Sequence, residues 1–325
     1  MVDAAAQTSP RRRPIKPMLR AVQVNADSLP AFDFSTPIDR SRWFVCPTLT
    51  PLYYAPIYCE LQEQHQRRYN QLTALCFSEL ISFFETTFAA SVLATLVAGT
   101  RHGMDPELAA CLKQFVDEER EHTQWWQQLN QLSEPSLYTK RQRAIIRLPA
   151  VFRFMLNQVT RRPACFPMVF WVMLALEERS LEISRRCLWM PAERIEPRYL
   201  AIYRAHLQHE VRHVQLDWHL IERFYETSSP ALRKFNAMLL RLALARFFLP
   251  PTRSAMRVVR HLVVECPELT PLRKVIESQL VKVGDDSAYH AMMYSRESTP
   301  ITFALFDRFE EMHAVRNVLR SSQPQ

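Results

Sequence analysis

The stretch HLQHEVRHVQLD, His206–Asp217, places three histidines and a glutamate within eight positions. Side chains three and four apart share a face of an α-helix. His206, Glu210 and His213 therefore point the same way, and His209 lies near that face. The pattern HxxxExxH is expected by chance on the order of 0.02 times in such a chain. Imidazole and carboxylate are the donors that suit a transition metal with positions open to O2, where thiolate does not.

Working outward, a second Glu-x-x-His occurs in DEEREHTQWW, at Glu119 and His122. Alone it is weak, with roughly 0.6 chance occurrences expected, and a third is present at Glu310 and His313. What lifts the first two is the spacing of acids upstream. A bundle that holds two metal ions draws one Glu from each of two helices and a Glu-x-x-His from each of the other two. Glu85 precedes Glu119 by 34 residues and Glu178 precedes Glu210 by 32. Such a distance lets the chain run along one helix, turn, and return to the same level. Glu85 also interrupts an apolar or small stripe of Ser78, Ile81, Phe88, Val92 and Leu96, where an unpaired carboxylate is costly. In LEERSLE (176–182), Glu177 and Glu182 rival Glu178. Glu178 is preferred because Trp171, Leu174, Ala175 and Leu181 share its face. The third motif has Glu277 upstream, but it lacks the extra histidine and a strongly apolar helix, and is read as coincidence. Metal-bound histidines are usually oriented from behind by an acid. Glu118, four before His122, and Asp217, four after His213, are placed for that role.

The chain has 325 residues, 48% hydrophobic, with only 3 glycines and neither GxGxxG nor GxxxxGK[ST]. That disfavours β-rich and nucleotide-cradling folds. The prediction is an all-α protein with a four-helix bundle core over about 60–226. Its helices are expected over 60–98, 105–132, 141–160, 167–189 and 198–226, followed by peripheral helices over 230–320. Residues 1–40 read as an irregular basic tail, and 41–325 as one domain. The net charge is +8, partly from RRRPIKPMLR (11–20). No aromatic interleaving or known motif accompanies that run, so nucleic acid is not an expected partner. Seven cysteines, an odd number without CxxC, fit reduced thiols in the cytoplasm. No secretory signal is apparent. The longest apolar runs, 166–176 and 89–98, fall short of the roughly 20 residues that span a bilayer, so no membrane is expected.

The order Glu85, Glu119xxHis122, Glu178, His206xxxGlu210xxHis213 resembles the ferritin-like diiron N-oxygenases of the p-aminobenzoate N-oxygenase type. The stretch LTPLYYAPIY…RYNQLTALCFSELISFFETTF (49–88) is similar to that family's entry into its first ligand helix. The resemblance covers about 45–225. It implies an additional histidine ligand one turn before the second Glu-x-x-His, the place His206 holds. It implies two iron ions, O2 as co-substrate and an external electron donor, either a reductase or a reduced carrier. The substrate it implies is a small aryl or amino-acid-derived amine, oxidised at nitrogen to hydroxylamine, nitroso or nitro product in secondary metabolism. It also implies a homodimer. The same cage serves C–H hydroxylases, desaturases and C–C cleaving oxidases. An iron-storage or structural bundle is disfavoured by the length of the C-terminal addition. Met168, Phe170, Trp171 and Met173 are candidates for a pocket wall or, more simply, for core. Arg179 and Arg204 are candidates for holding a substrate carboxylate.

Overall fold

The computed structural model describes residues 12, 14, 32–99, 104–245 and 252–320. The protein is all-α. Among the described residues there is no strand, only an isolated bridge between Trp43 and Ile195. Most of the expected tail over 1–40 lies outside the described residues. The main helices are α1 (Glu63–Ala98), α2 (Pro106–Ser133), α3 (Ala150–Thr160), α4 (Met168–Leu188) and α5 (Pro197–Leu220). After them come α6 (Pro230–Ala243), α7 (Thr252–Glu265), α8 (Arg273–Lys282), α9 (Ser287–Met293), α10 (Pro300–Arg308) and α11 (His313–Arg320). Two helices contain π-helical turns: Phe84–Ala89 inside α1, and Ile221–Glu226 continuing α5.

The helix starts follow local chemistry. Asp105 accepts the N–H of Glu107 at 2.9 Å, and Pro106 supplies the first position of α2. Glu196 accepts the N–H groups of Arg198 and Tyr199 at the start of α5. Both arrangements satisfy donors that a helix leaves unpaired at its first turn.

Helices α1, α2, α4 and α5 form the bundle. Its interior is two apolar layers with a polar layer between them. Phe115, Leu174, Leu216 and Val92 belong to one layer. Leu75, Trp126, Ile183 and Ile202 belong to the other. Each of the four helices passes from one layer to the other across its acidic or histidine positions. The antiparallel course of the chain thus brings those positions to one level.

Two expectations are corrected. The helix expected over 141–160 exists only as α3. Before it, the buried Glu79 carboxylate accepts the N–H groups of Ala144 at 2.7 Å, Ile145 at 2.9 Å and Ile146 at 2.7 Å, together with the Tyr138 hydroxyl. Backbone donors spent on a carboxylate are not available to a helix. Second, the C-terminal region is not merely peripheral: Phe306 stacks on Trp171 with ring centroids 5.3 Å apart. Helix α1, expected over 60–98, runs unbroken through the π-helical turn, and by length and composition alone it is long and apolar enough to cross a membrane. Its Glu79 and Glu85 are nevertheless buried within the fold.

Candidate metal centre

The polar layer gathers two quartets of potential ligands, Glu85, His122, His206 and Glu210 in one, and Glu119, Glu177, Glu210 and His213 in the other. Within each, the donor atoms lie inside 4.8 Å of one another, and all seven residues are buried. Glu210 belongs to both. Its Oε1 is 3.1 Å from His206 Nε2 and 3.4 Å from His122 Nδ1, while its Oε2 is 3.3 Å from His213 Nδ1. Glu85 Oε1 lies 3.1 Å from His206 Nε2, and Glu119 Oε1 lies 3.1 Å from His213 Nδ1. A carboxylate that shows one oxygen to each of two donor sets is placed to bridge two cations.

Each imidazole is held from behind. His213 Nε2 donates to Glu118 Oε2 at 2.8 Å, and Arg212 and Gln114 donate to Glu118 Oε1. His122 Nε2 shares a 2.8 Å hydrogen bond with His209 Nδ1. His206 Nδ1 lies 3.2 Å from the Ser180 hydroxyl. Thr123 donates to Glu85 Oε2 at 2.9 Å. Such outer contacts fix which nitrogen faces the centre. Glu85 itself sits in the π-helical turn of α1, a local insertion often found where a helix must aim a functional side chain.

The electrostatics fit a pair of divalent cations. Burial, and then repulsion from Glu177, pushes the Glu119 and Glu210 carboxyls well above the ordinary range. Burial raises Glu177 to about 7. Glu85 escapes: burial raises it, but the imidazoles of His122 and His206 facing its Oε1 outweigh that and hold it at about 2. Burial, and for His206 the neighbouring His122, lowers His206 and His213 to about 4, keeping both neutral as ligands must be. Both oxygens of Glu119 and Glu210, one of Glu177, and Nδ1 of His122 and His213 have no hydrogen-bond partner. Orphaned buried donors and acceptors are costly, and all of these face one another. Four carboxylates balance two doubly charged ions, and bound cations invert the local proton affinities.

Six of the seven expected residues meet here: Glu85, Glu119, His122, His206, Glu210 and His213. Glu178 does not. It turns away from the centre and accepts the N–H groups of Ile301 at 2.7 Å and Thr302 at 2.8 Å, capping α10. Glu177 takes the place expected of Glu178, and Glu182 pairs with Arg186 at 2.6 Å. The expected acid pairing is also redrawn. Glu118 serves His213, across the bundle, instead of His122 on its own helix. Asp217 is buried with both oxygens unpartnered and does not bond His213. Sequence reasoning named Glu177 only as a rival to Glu178, and it missed the roles of His209 and Ser180. Of these two, only His209 carried a signal, its place beside the His206 face.

The third Glu-x-x-His lies apart, as expected. Glu310 is exposed, and Glu277 pairs with Arg273 at 3.0 Å. A separate trio of buried His65, half-buried Cys266 and exposed Glu268 contains a 2.7 Å His65–Glu268 contact. Met168, Phe170, Trp171 and Met173 are buried in the core. Arg179 is buried and donates to the Met292 carbonyl at 2.7 Å, whereas Arg204 is exposed.

The family model described as P-aminobenzoate N-oxygenase AurF matches residues 16–268, most of the chain. The chain therefore belongs to this oxygenase family. No curated protein matches it.

Proposed function

We propose that this member of the p-aminobenzoate N-oxygenase family holds two iron ions and uses O2 to oxidise the nitrogen of an amine. The observation that carries the reading is the pair of buried ligand quartets joined through Glu210. Glu85, His122, His206 and Glu210 would hold one ion, and Glu119, Glu177, Glu210 and His213 the other. Two ferrous ions would supply the electrons that activate O2 for oxygen insertion at nitrogen.

The chain's own residues prepare that chemistry. Glu210 ties the two halves together. Glu118, His209 and Ser180 orient the imidazoles. The apolar layers on either side exclude water, which strengthens every charge interaction inside. Asp217, one turn beyond His213 on α5, is buried beside the cluster, and burial with the charge of Glu177 pushes its carboxyl well above the ordinary range. The imidazole–carboxylate set, with no thiolate, supports iron over softer metals. The substrate we infer is a small aryl or amino-acid-derived amine of secondary metabolism. The seven cysteines, all free, support a reducing, cytoplasmic setting, and we infer a homodimer fed by an external electron donor.

The test is purification from iron-supplemented medium, metal analysis, and turnover of p-aminobenzoate and amino-acid-derived amines with O2 and a chemical reductant. Two irons per chain and a hydroxylamine, nitroso or nitro product are expected. Oxygen inserted at carbon would move the protein to the hydroxylases. Many irons per chain with no amine oxidised would make it a storage bundle, and no bound metal would end the reading.

A further inference from the structure

Between Glu134 and Glu177 the chain contains no acidic residue. Within that segment Lys140, Arg141, Arg147, Arg153, Arg161 and Arg162 are exposed, and none forms an ion pair with a described residue. Helix α3 lies in the middle and leaves Val151 71%, Phe154 64% and Met155 59% exposed. A cleft of about 400 Å3 separates it from the outer side of α1, lined by Thr87, Ser91, Arg153, Phe154 and Asn157. Arg257 extends the positive field: it donates to the Ile145 carbonyl at 2.8 Å and, besides its partial burial, is depressed by Arg147, Arg260 and Arg253.

This face is fastened to a ligand helix. Glu79 of α1 grips the backbone at Ala144, Ile145 and Ile146. The Arg143 guanidinium sits 5.4 Å above the Phe83 ring, and Phe83 is two residues before Glu85. An unpaired basic rim around exposed apolar anchors is the composition of a steered protein interface. A two-fold dimer through this face would set it against its own copy, bringing unpaired like charges together. The occupant must instead be acidic. The proposed oxidation needs electrons, and the chain has no nucleotide-binding motif to gather them.

We propose that the α3 face is the docking site of an acidic one-electron carrier protein of the ferredoxin or flavodoxin class, which reduces the metal pair across the Phe83–Glu85 segment. This rests on the diiron reading above. Each encounter oxidises one carrier and reduces one ferric ion, so two encounters return both ions to the ferrous state. The arginines steer the approach, and Phe154 with Met155 anchors it.

The test uses a plant-type [2Fe–2S] ferredoxin as probe. Calorimetric titration into the metal-free full chain reads docking without any metal. Stopped-flow reduction of the ferric iron-loaded chain reads electron delivery, with dithionite in parallel. The variant Arg147→Glu/Arg153→Glu/Arg161→Glu should bind ferredoxin about tenfold or more weakly and be reduced correspondingly slowly, with dithionite reduction unchanged. Phe154→Ser, which keeps the charge, should weaken binding as well. Wild-type binding should fade between about 0.05 and 0.5 M salt. Absence of ferredoxin binding, or equal binding by wild type and the charge variant, overturns the proposal. So does charge-dependent binding to phosphatidylserine vesicles together with carrier reduction that ignores the substitutions, which would make the face a membrane contact. A chain that binds ferredoxin through these arginines yet loads no iron would leave the docking face standing and remove the diiron reading.

Discussion

Glu118 of α2 and His213 of α5 are joined across the bundle by a 2.8 Å hydrogen bond from Nε2 to Oε2. The imidazole that faces Glu119 and Glu210 through Nδ1 is therefore fixed by the neighbour of one of those acids. Arg212 shares the same carboxylate; burial raises it, but His213, His209 and Arg212 together outweigh burial and hold it well below the ordinary range. One peptide unit of α2 thus supplies both a candidate ligand and the support for a ligand on another helix.

Glu118→Ala frees the His213 ring and strands Arg212. Metal affinity is expected to fall by about 10–100-fold, read by chelator competition. Glu118→Gln, which can still accept a hydrogen bond, should fall less. Undiminished affinity in both variants would deny Glu118 any positioning role.

Glu177 and Glu178 should separate cleanly. Glu177→Ala is expected to lose one of two bound ions per chain. Glu178→Ala should retain both but unfold at lower urea concentration, because the N–H groups of Ile301 and Thr302 lose their acceptor at a cost of about 1–3 kcal/mol. Metal content and urea midpoints decide the matter, and the reverse pattern would restore Glu178 to the centre.

The metal-free chain should lose stability as pH rises through about 7. Burial raises Glu177 and Glu178 to about 7 in the fold, so their contribution is complete below the unfolded value and disappears above the folded one. His206 and His213 act in the opposite sense, since burial lowers both to about 4. Their contribution is lost as pH falls through about 6.5, and by about pH 7.5, one unit above the unfolded value, both are neutral in both states. The carboxyls of Glu119, Glu210 and Asp217, pushed well above the ordinary range by burial, add to the loss as pH rises. Melting temperatures between about pH 6.5 and 8 should fall for the metal-free chain and change less once metal stabilises ionised Glu177. A flat metal-free profile would contradict this balance of charges.

His206→Ala is expected to reduce iron loading severalfold while preserving helical circular dichroism, since its Nε2 faces both Glu85 and Glu210 at 3.1 Å. His313→Ala should change neither, because that ring's nearest polar contact is the Asp307 carbonyl at 3.5 Å. Iron lost from the second variant alone would mean that the wrong histidine motif had been chosen.

Periodicity carried the reading of the bundle because its four helices return to one level at a regular chain distance, and that distance is visible as Glu-to-Glu spacing. It faltered at Glu177. Neighbouring helix positions differ by about 100° in direction, and the choice fell on the more apolar face. Helix α4 is buried on nearly all sides, with Trp171, Leu174 and Ile183 covered alike, so apolar company does not mark the inward face. Glu118 was misassigned for a related reason: spacing along one helix reveals intrahelical neighbours, whereas its partner stands on α5. The break before α3 had one local trace, Pro149, which stands at the helix start; the path of the chain before it depends on Glu79, a residue some 65 positions away.

The family match ends at residue 268, yet two consecutive residues of α4 find their partners beyond it. Glu178 bonds amide groups at Ile301 and Thr302, and Arg179 bonds the Met292 carbonyl. Those partners are main-chain atoms, which most amino acids present equally well. At these contacts the C-terminal side chains can change while the path past α4 stays fixed, and Phe306 against Trp171 adds a contact that does depend on a side chain.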